Sequence, residues 1–255
     1  MKSPEHKLRL LSYNIQGGIG TAGYHHYVTQ SWKHVFPHRS KHKNIDHVAQ
    51  IASDYDIVAL QETDAGSLRS NFVNQAEYIA EKADFPFWHD QVNRNMGKFA
   101  QHSNSLLSKI RPSEVVDHKL PGMIPGRGAL MVRFGNKNES LVFFVVHLAL
   151  SRRSRKNQLA FIGEQVQEHK HVIMMGDMNC EVDSPEMKQL FRQTHLLVPE
   201  YRPHTFPSWR PQKHIDHILV SDEVHVLDVQ ALNQGVSDHL PVAMEIGVPD
   251  TIKLV

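Results

Sequence analysis

Apolar and polar positions follow one another in short blocks whose period changes along the chain. Residues 8–15 alternate and are rich in Leu, Tyr and Ile, which predicts a strand ending at the turn signal Asn14-Ile15-Gln16-Gly17-Gly18. Residues 17–43 show neither period and read as a long irregular loop inserted after that strand, with one helical turn over 28–35. Ile45, Val48, Ala49 and Ala52 return at helical spacing, so 44–53 is predicted as a helix. Residues 56–60 form a short apolar strand. A second amphipathic helix is predicted over 71–82, with Phe72, Gln75, Ala76 and Ile79 on one face. Strands follow over 87–91, 104–109, 113–119, 128–134 and 141–148, each bounded by Pro, Gly or Asn. A helix is expected over 152–168, then a strand over 171–175. A short helix over 184–191 has Ser184 as N-cap and Pro185 in its first turn. A Pro- and aromatic-rich loop covers 201–212, and strands over 215–220, 224–232 and 241–246 close the chain.

Strands dominate, helices follow strands, and the middle is a run of hairpins. Two packed sheets with helices outside satisfy this pattern, an α/β arrangement. No linker-like composition, repeat or low-complexity tract interrupts it, so residues 1–255 are expected to form one domain. At 40% hydrophobic and 22% charged residues, the chain can bury a large core without staples. One cysteine, Cys180, rules out an intrachain disulfide and fits a reducing compartment. The polar start lacks an apolar leader, and the 141–150 run is too short to span a bilayer. A cytoplasmic, monomeric protein is the expectation. The formal net charge of +1 does not announce nucleic-acid binding, although a local basic groove is compatible with it.

Polar residues gather where the predicted strands end. Asn14 ends the first strand, Glu62 follows the second, and His147 closes a strongly apolar one. Asp177 and Asn179 follow the 171–175 strand, Asp216 opens another, and Ser237-Asp238-His239 precedes the last. Glu62, Asp238, Asn14 and Asp177 offer hard oxygen donors, which suit magnesium, manganese or calcium rather than zinc. Asp177 and Asn179 lie two apart and in extended chain point the same way, so a carboxylate and a neutral amide share one face. His239 exchanges a proton near neutral pH, and a carboxylate such as Asp216 orients its ring.

The ordered set Tyr13-Asn14, Gln61-Glu62, His147-Leu148, Gly176-Asp177-Met178-Asn179, Ile215-Asp216-His217 and Ser237-Asp238-His239 resembles the endonuclease/exonuclease/phosphatase superfamily, with its deoxyribonuclease- and exonuclease-like fold. Each motif is weak alone; their order over residues 8–246 carries the resemblance. It implies a four-layer α/β/β/α sandwich of two mixed β-sheets with outer helices. It also implies a Mg2+-dependent (or Mn2+-dependent) phosphoesterase. Glu62 would be the principal metal ligand, with Asn14 and Asp238 beside the same ion. Asp177 would position the attacking water beside Asn179, His239 would be polarised by Asp216, and His147 would hold a phosphate or protonate the leaving group. Arg127 matches an arginine near the scissile phosphate in some members, and Asn104 is a supporting candidate for substrate binding.

The chain departs from deoxyribonuclease-like members after Glu62, where Thr63-Asp64 replaces an arginine that reaches DNA. The loop over 17–43 is larger than many members carry. It interleaves Tyr24, His25, His26, Tyr27, Trp32, His34, Phe36, His38, Arg39, Lys41, His42 and Lys43, a composition suited to an extended anion. Phosphodiester cleavage of nucleic acid or a phospholipid headgroup is therefore expected ahead of a phosphomonoesterase on small or inositol-type phosphates. A non-catalytic nucleic-acid or lipid binder on the same scaffold, or a histidine-rich metal binder, is the contrasting expectation. Arg152, Arg153, Arg155 and Lys156 open a helix against its dipole, which reads as a solvated face with a hint of phosphate contact. Cys180 is expected simply to pack.

Overall fold

The computed structural model describes residues 6–16, 39–70, 72–95, 101–122 and 126–254. Their elements, in chain order, are β1 (His6–Asn14), α1 (Arg39–Ala52), β2 (Ile57–Asp64), a 3-10 turn (Leu68–Ser70) and α2 (Gln75–Lys82). There follow β3 (Phe87–Asn95), β4 (Gln101–Ser108), β5 (Glu114–Lys119), β6 (Gly128–Gly135) and β7 (Ser140–His147). The last third holds α3 (Arg152–Val166), β8 (His171–Asp177), α4 (Pro185–Gln193), β9 (Leu196–Leu197), β10 (Asp216–Ser221), β11 (His225–Ala231) and β12 (Val242–Val248).

The strands form two six-stranded sheets, ordered β11-β12-β1-β2-β4-β3 and β5-β6-β7-β8-β10-β9. Each is mixed: β1 runs parallel to β2 and β7 parallel to β8, while the other pairs are antiparallel. A parallel pair needs a crossover, and helices α1 and α3 lie in those connections.

The four layers follow from strand periodicity. In β1, Leu8 and Leu10 face the second sheet, whereas Leu11 and Tyr13 face α1 and α2. In β7, Leu141, Phe143 and Val145 enter the inter-sheet core, and Val142, Phe144 and Val146 pack under α3 and α4. Central strands buried on both faces read as nearly continuous apolar runs, which is why 141–148 looked so hydrophobic. Each large side chain sealed there contributes about 1.5–3 kcal/mol relative to exposure.

Several boundaries differ from expectation. Helix α1 begins at Arg39, so 39–43 belongs to a helix and not to the inserted loop. Those first positions precede the apolar stripe that starts at Ile45, so periodicity does not register them. The remainder of that loop, including the helical turn expected over 28–35, lies outside the described residues. Helix α2 starts at Gln75 because the Asn74 side chain accepts hydrogen bonds from the Ala76 and Glu77 amides and caps it. Phe72 is left before the cap, 61% exposed, instead of on the buried face. Strand β2 runs on to Asp64, and the short β9 had no readable pattern. Ser184 caps α4 with Pro185 in the first turn, as the sequence indicated. No described helix is long and apolar enough to cross a membrane.

Candidate active site

The parallel pairs set the site by register. Strand β1 matches Asn14 with Gln61 of β2, and β7 matches His147 with Asp177 of β8. Strand β10 then places Asp216 beside Asp177 on its other flank. Glu62 does not simply follow a strand: it sits in a bulge between Gln61 and Thr63, with φ of 58°. The inserted residue turns its side chain into the cleft while Gln61 and Thr63 stay buried. Gly176 lets β8 approach β7 closely: a Cβ there would meet the Val146 carbonyl oxygen at 1.9 Å.

Asn14, Glu62, Arg127, His147, Asp177, Asn179, Asp238 and His239 line one cleft of about 710 Å³. Asn14 Nδ2 donates to Asp177 Oδ2 at 3.1 Å. His147 Nε2 lies 3.5 Å from that same oxygen and 3.8 Å from Glu62 Oε1. His239 Nε2 is 3.9 Å from Asp177 Oδ2, and its Nδ1 lies 2.9 Å from Asp216 Oδ2. Asp216 is fixed from behind by the buried Thr205 hydroxyl, which donates to Oδ2.

Asn179 reaches the cleft by a different route from the one expected. It lies beyond β8 with φ of 52°, so the extended-chain argument does not place it. Instead its backbone amide donates to Asp177 Oδ1, and its side chain donates to the Leu148 carbonyl, both at 2.9 Å. Asn104 is buried and outside the cleft lining. Its Nδ2 donates to the Gly128 carbonyl at 3.0 Å, next to Arg127. Asp64, two positions beyond Glu62, accepts bonds from the Gly66 and Ser67 amides and the Ser67 and Ser70 hydroxyls. It ends β2 and ties down the turn that follows. Arg152, Arg153 and Lys156 are exposed, as expected of a solvated face, whereas Arg155 is drawn inward by Glu186.

Sequence reasoning missed Gln16, Leu150, Phe206, Lys213 and Ile215 in the lining. Gln16 adopts φ of 49° and donates through Nε2 to Asp238 Oδ2 at 3.2 Å. The Gly17-Gly18 turn signal beside it is the only hint the sequence carried. The Phe206 ring lies 4.9 Å from the His239 ring, and nothing in its loop composition announces that contact.

Burial drives the electrostatics. It pushes the Asp177 carboxyl up to about 7, with the nearby His239 offsetting part of the rise. Asp238 is raised for the same reason. Burial lowers His239, but the Asp216, Asp177 and Asp238 carboxylates outweigh it and lift the ring to about 10. His147 is held well below its ordinary value by burial and by the charge of Arg127, so its approaches to Glu62 and Asp177 are those of a neutral ring. Burial raises the Cys180 thiol to about 11, which disfavours the thiolate.

These carboxylates fit a divalent cation. Burial raises both Asp177 and Asp238 in a cleft that Glu62 also enters, and hard carboxylate oxygens gathered away from water are a setting that a bound cation stabilises. Asp177, Asp216 and His239 also bring ligand atoms within 4.8 Å of one another. Two of those three are already committed to each other by hydrogen bonds.

No curated protein matches the chain. Among solved structures, an endonuclease/exonuclease/phosphatase from Beutenbergia cavernae superposes with a TM-score of 0.73 at 19% identity, covering 96% of this chain and 72% of that one. A mannosyl-6-phosphatase from Bacteroides thetaiotaomicron gives 0.71 at 18% identity over 94% of this chain and 99% of its own. A humanized D. rerio TDP2 gives 0.65 at 15% identity over 94% and 98%. These likenesses establish the sandwich fold. The model of the Endonuclease/Exonuclease/phosphatase family matches residues 11–239, which takes in every residue of the cleft, and the chain belongs to that family.

Proposed function

We propose that the protein is a divalent-metal-dependent phosphoesterase, acting on a phosphodiester by in-line attack of water. The observation that carries this reading is the buried Asp177 carboxylate, met from three sides by Asn14, His147 and the Asp216-paired His239. Glu62, Asn14 and Asp238 would hold the cation, Mg2+ or Mn2+, which when bound offsets charge on the phosphate oxygens. Asp177 would orient the attacking water, with the Asn179 side chain held beside it. Asp216 fixes the His239 ring through Nδ1 and leaves Nε2 facing the cleft for a phosphate oxygen. Arg127 would clamp another. The neutral His147 would donate a hydrogen bond to a phosphate or leaving-group oxygen, the phosphate-holding half of its expected role. Asn104 would serve indirectly, by fixing the Gly128 carbonyl beside Arg127. We further read the chain as one domain, a monomer in the cytoplasm. A lone buried thiol suits that compartment.

A phosphomonoesterase is the second reading, favoured by the fold shared with the mannosyl-6-phosphatase. The deciding experiment is hydrolysis of DNA, RNA, phospholipids, inositol phosphates, sugar phosphates and bis(p-nitrophenyl) phosphate with Mg2+, with and without chelator. Wild type and Asp177→Ala are compared. Chelator-sensitive turnover that Asp177→Ala lowers about a thousandfold supports the assignment. Near-wild-type turnover by Asp177→Ala sinks it.

A further inference from the structure

The cleft's floor is polar, but part of its rim is not. Leu150 lines it at 77% exposure, on the short link between β7 and α3. One exposed leucine is ordinary. This one stands on a backbone pinned at three successive residues. Asn179 Nδ2 donates to the Leu148 carbonyl, the Ala149 amide donates to Gln158 Oε1 at 2.9 Å, and Arg155 Nη1 donates to the Leu150 carbonyl at 2.5 Å. Arg155 is itself locked by Glu186 at 2.8 Å, with side chains 12% and 2% exposed. A buried ion pair is costly to assemble, and here it holds a surface link in place.

Phe206 is displayed in the same manner. Its backbone pairs with Lys213, and the loop is tied to the His239 segment by Ser208 amide to Asp238 carbonyl at 2.7 Å and Leu240 amide to Thr205 carbonyl at 2.9 Å. Ile215 and Cys180 add apolar surface to the same lining. Lys213 and Glu181 at the rim carry opposite charges. A cleft of 710 Å³ takes a ligand far larger than a phosphoryl group. A backbone already held in place spares the cost of ordering these loops when their side chains close on a ligand.

We propose that Leu150 and Phe206 form an apolar subsite that selects phosphate esters whose group bonded through oxygen to phosphorus is aryl or alkyl rather than polyhydroxylated. This specificity rests on the phosphoesterase reading given above. The test uses diphenyl phosphate and glycerophosphoglycerol, diesters of equal charge, with Mg2+. The ratio of their kcat/KM values is compared between wild type and Leu150→Ala, so that intrinsic reactivity cancels. The ratio is expected to fall about tenfold in Leu150→Ala and to be retained in Leu150→Met. An unmoved ratio, whatever happens to either rate alone, overturns the proposal. Binding of phenylphosphonate against inorganic phosphate separates failures. If no ester is hydrolysed but phenylphosphonate binds more tightly and loses that advantage in Leu150→Ala, the subsite stands and the phosphoesterase reading falls. Equal affinities of the two anions in wild type overturn the subsite.

Discussion

The two parallel strand pairs make a natural comparison, because each uses the same device and ends in a different kind of site. Strands β1 and β2, crossed over through α1, deliver Asn14 and Glu62; β7 and β8, crossed over through α3, deliver His147 and Asp177. On the β7–β8 side the register runs straight to the last pair, His147 opposite Asp177, and the Asp177 side chain is 3% exposed. On the β1–β2 side the register slips against β4 at Glu62, whose side chain is 27% exposed. Regular pairing thus places a dry, preorganised carboxylate, and a bulge places a wet one. A dry carboxylate held by neighbours suits orientation of a reactant. A wet carboxylate suits a cation that exchanges with solvent.

The largest expected effect separates these roles. Asp177→Ala should lower turnover about a thousandfold at any Mg2+ concentration. Glu62→Gln should lower it about a hundredfold at low Mg2+, with partial recovery as Mg2+ is raised, because the defect lies in cation affinity. Titrating Mg2+ against both variants checks this. Recovery by Asp177→Ala, or a flat response of Glu62→Gln, would erase the division between the two halves.

Next in size is a stability effect on the β7–β8 side. Gly176 has φ of 141°, and an added Cβ would lie 1.9 Å from the Val146 carbonyl oxygen. The strand cannot yield without moving Asp177 away from His147. Gly176→Ala should therefore cost about 3 kcal/mol or more, read as a lowered denaturant midpoint. A midpoint equal to wild type would mean that the close β7–β8 approach is not what places Asp177.

The same contrast explains what was legible in the sequence. The central strands bury both faces, so their apolar runs stand out, and the residues at their ends were readable as a site. Leu141 to Val146 and the following His147 show this most clearly. Glu62 in its bulge and Asn179 at φ of 52° reach the cleft through backbone irregularities that have no period. Leu150, Phe206 and Gln16 depend on contacts with residues distant in sequence, such as Arg155 with Glu186 and Gln16 with Asp238. Nothing local encodes those. Phe72 shows the opposite error, since helical spacing counted a residue that the Asn74 cap leaves outside.

The smallest effect probes the β7–β8 half away from the cleft's reactants. His217, in β10 opposite Gly176, is buried, and its Nε2 lies 2.8 Å from the Cys180 carbonyl. Burial lowers its pKa to about 4, only partly opposed by that hydrogen bond. The folded protein therefore keeps the ring neutral, whereas the unfolded chain protonates it near 6.5. Stability from this group is complete above about 6.5 and is lost as pH falls from there toward about 4, where the folded state also takes up the proton. Between pH 6.5 and pH 5 the loss is about 1.5 kcal/mol. His217→Gln retains a donor for the Cys180 carbonyl and does not titrate, so its denaturation midpoint should fall less than that of wild type over this interval. Parallel curves for the two proteins would show that acid sensitivity does not enter through β10, and the burial that distinguishes this half would then have no measurable pH signature there.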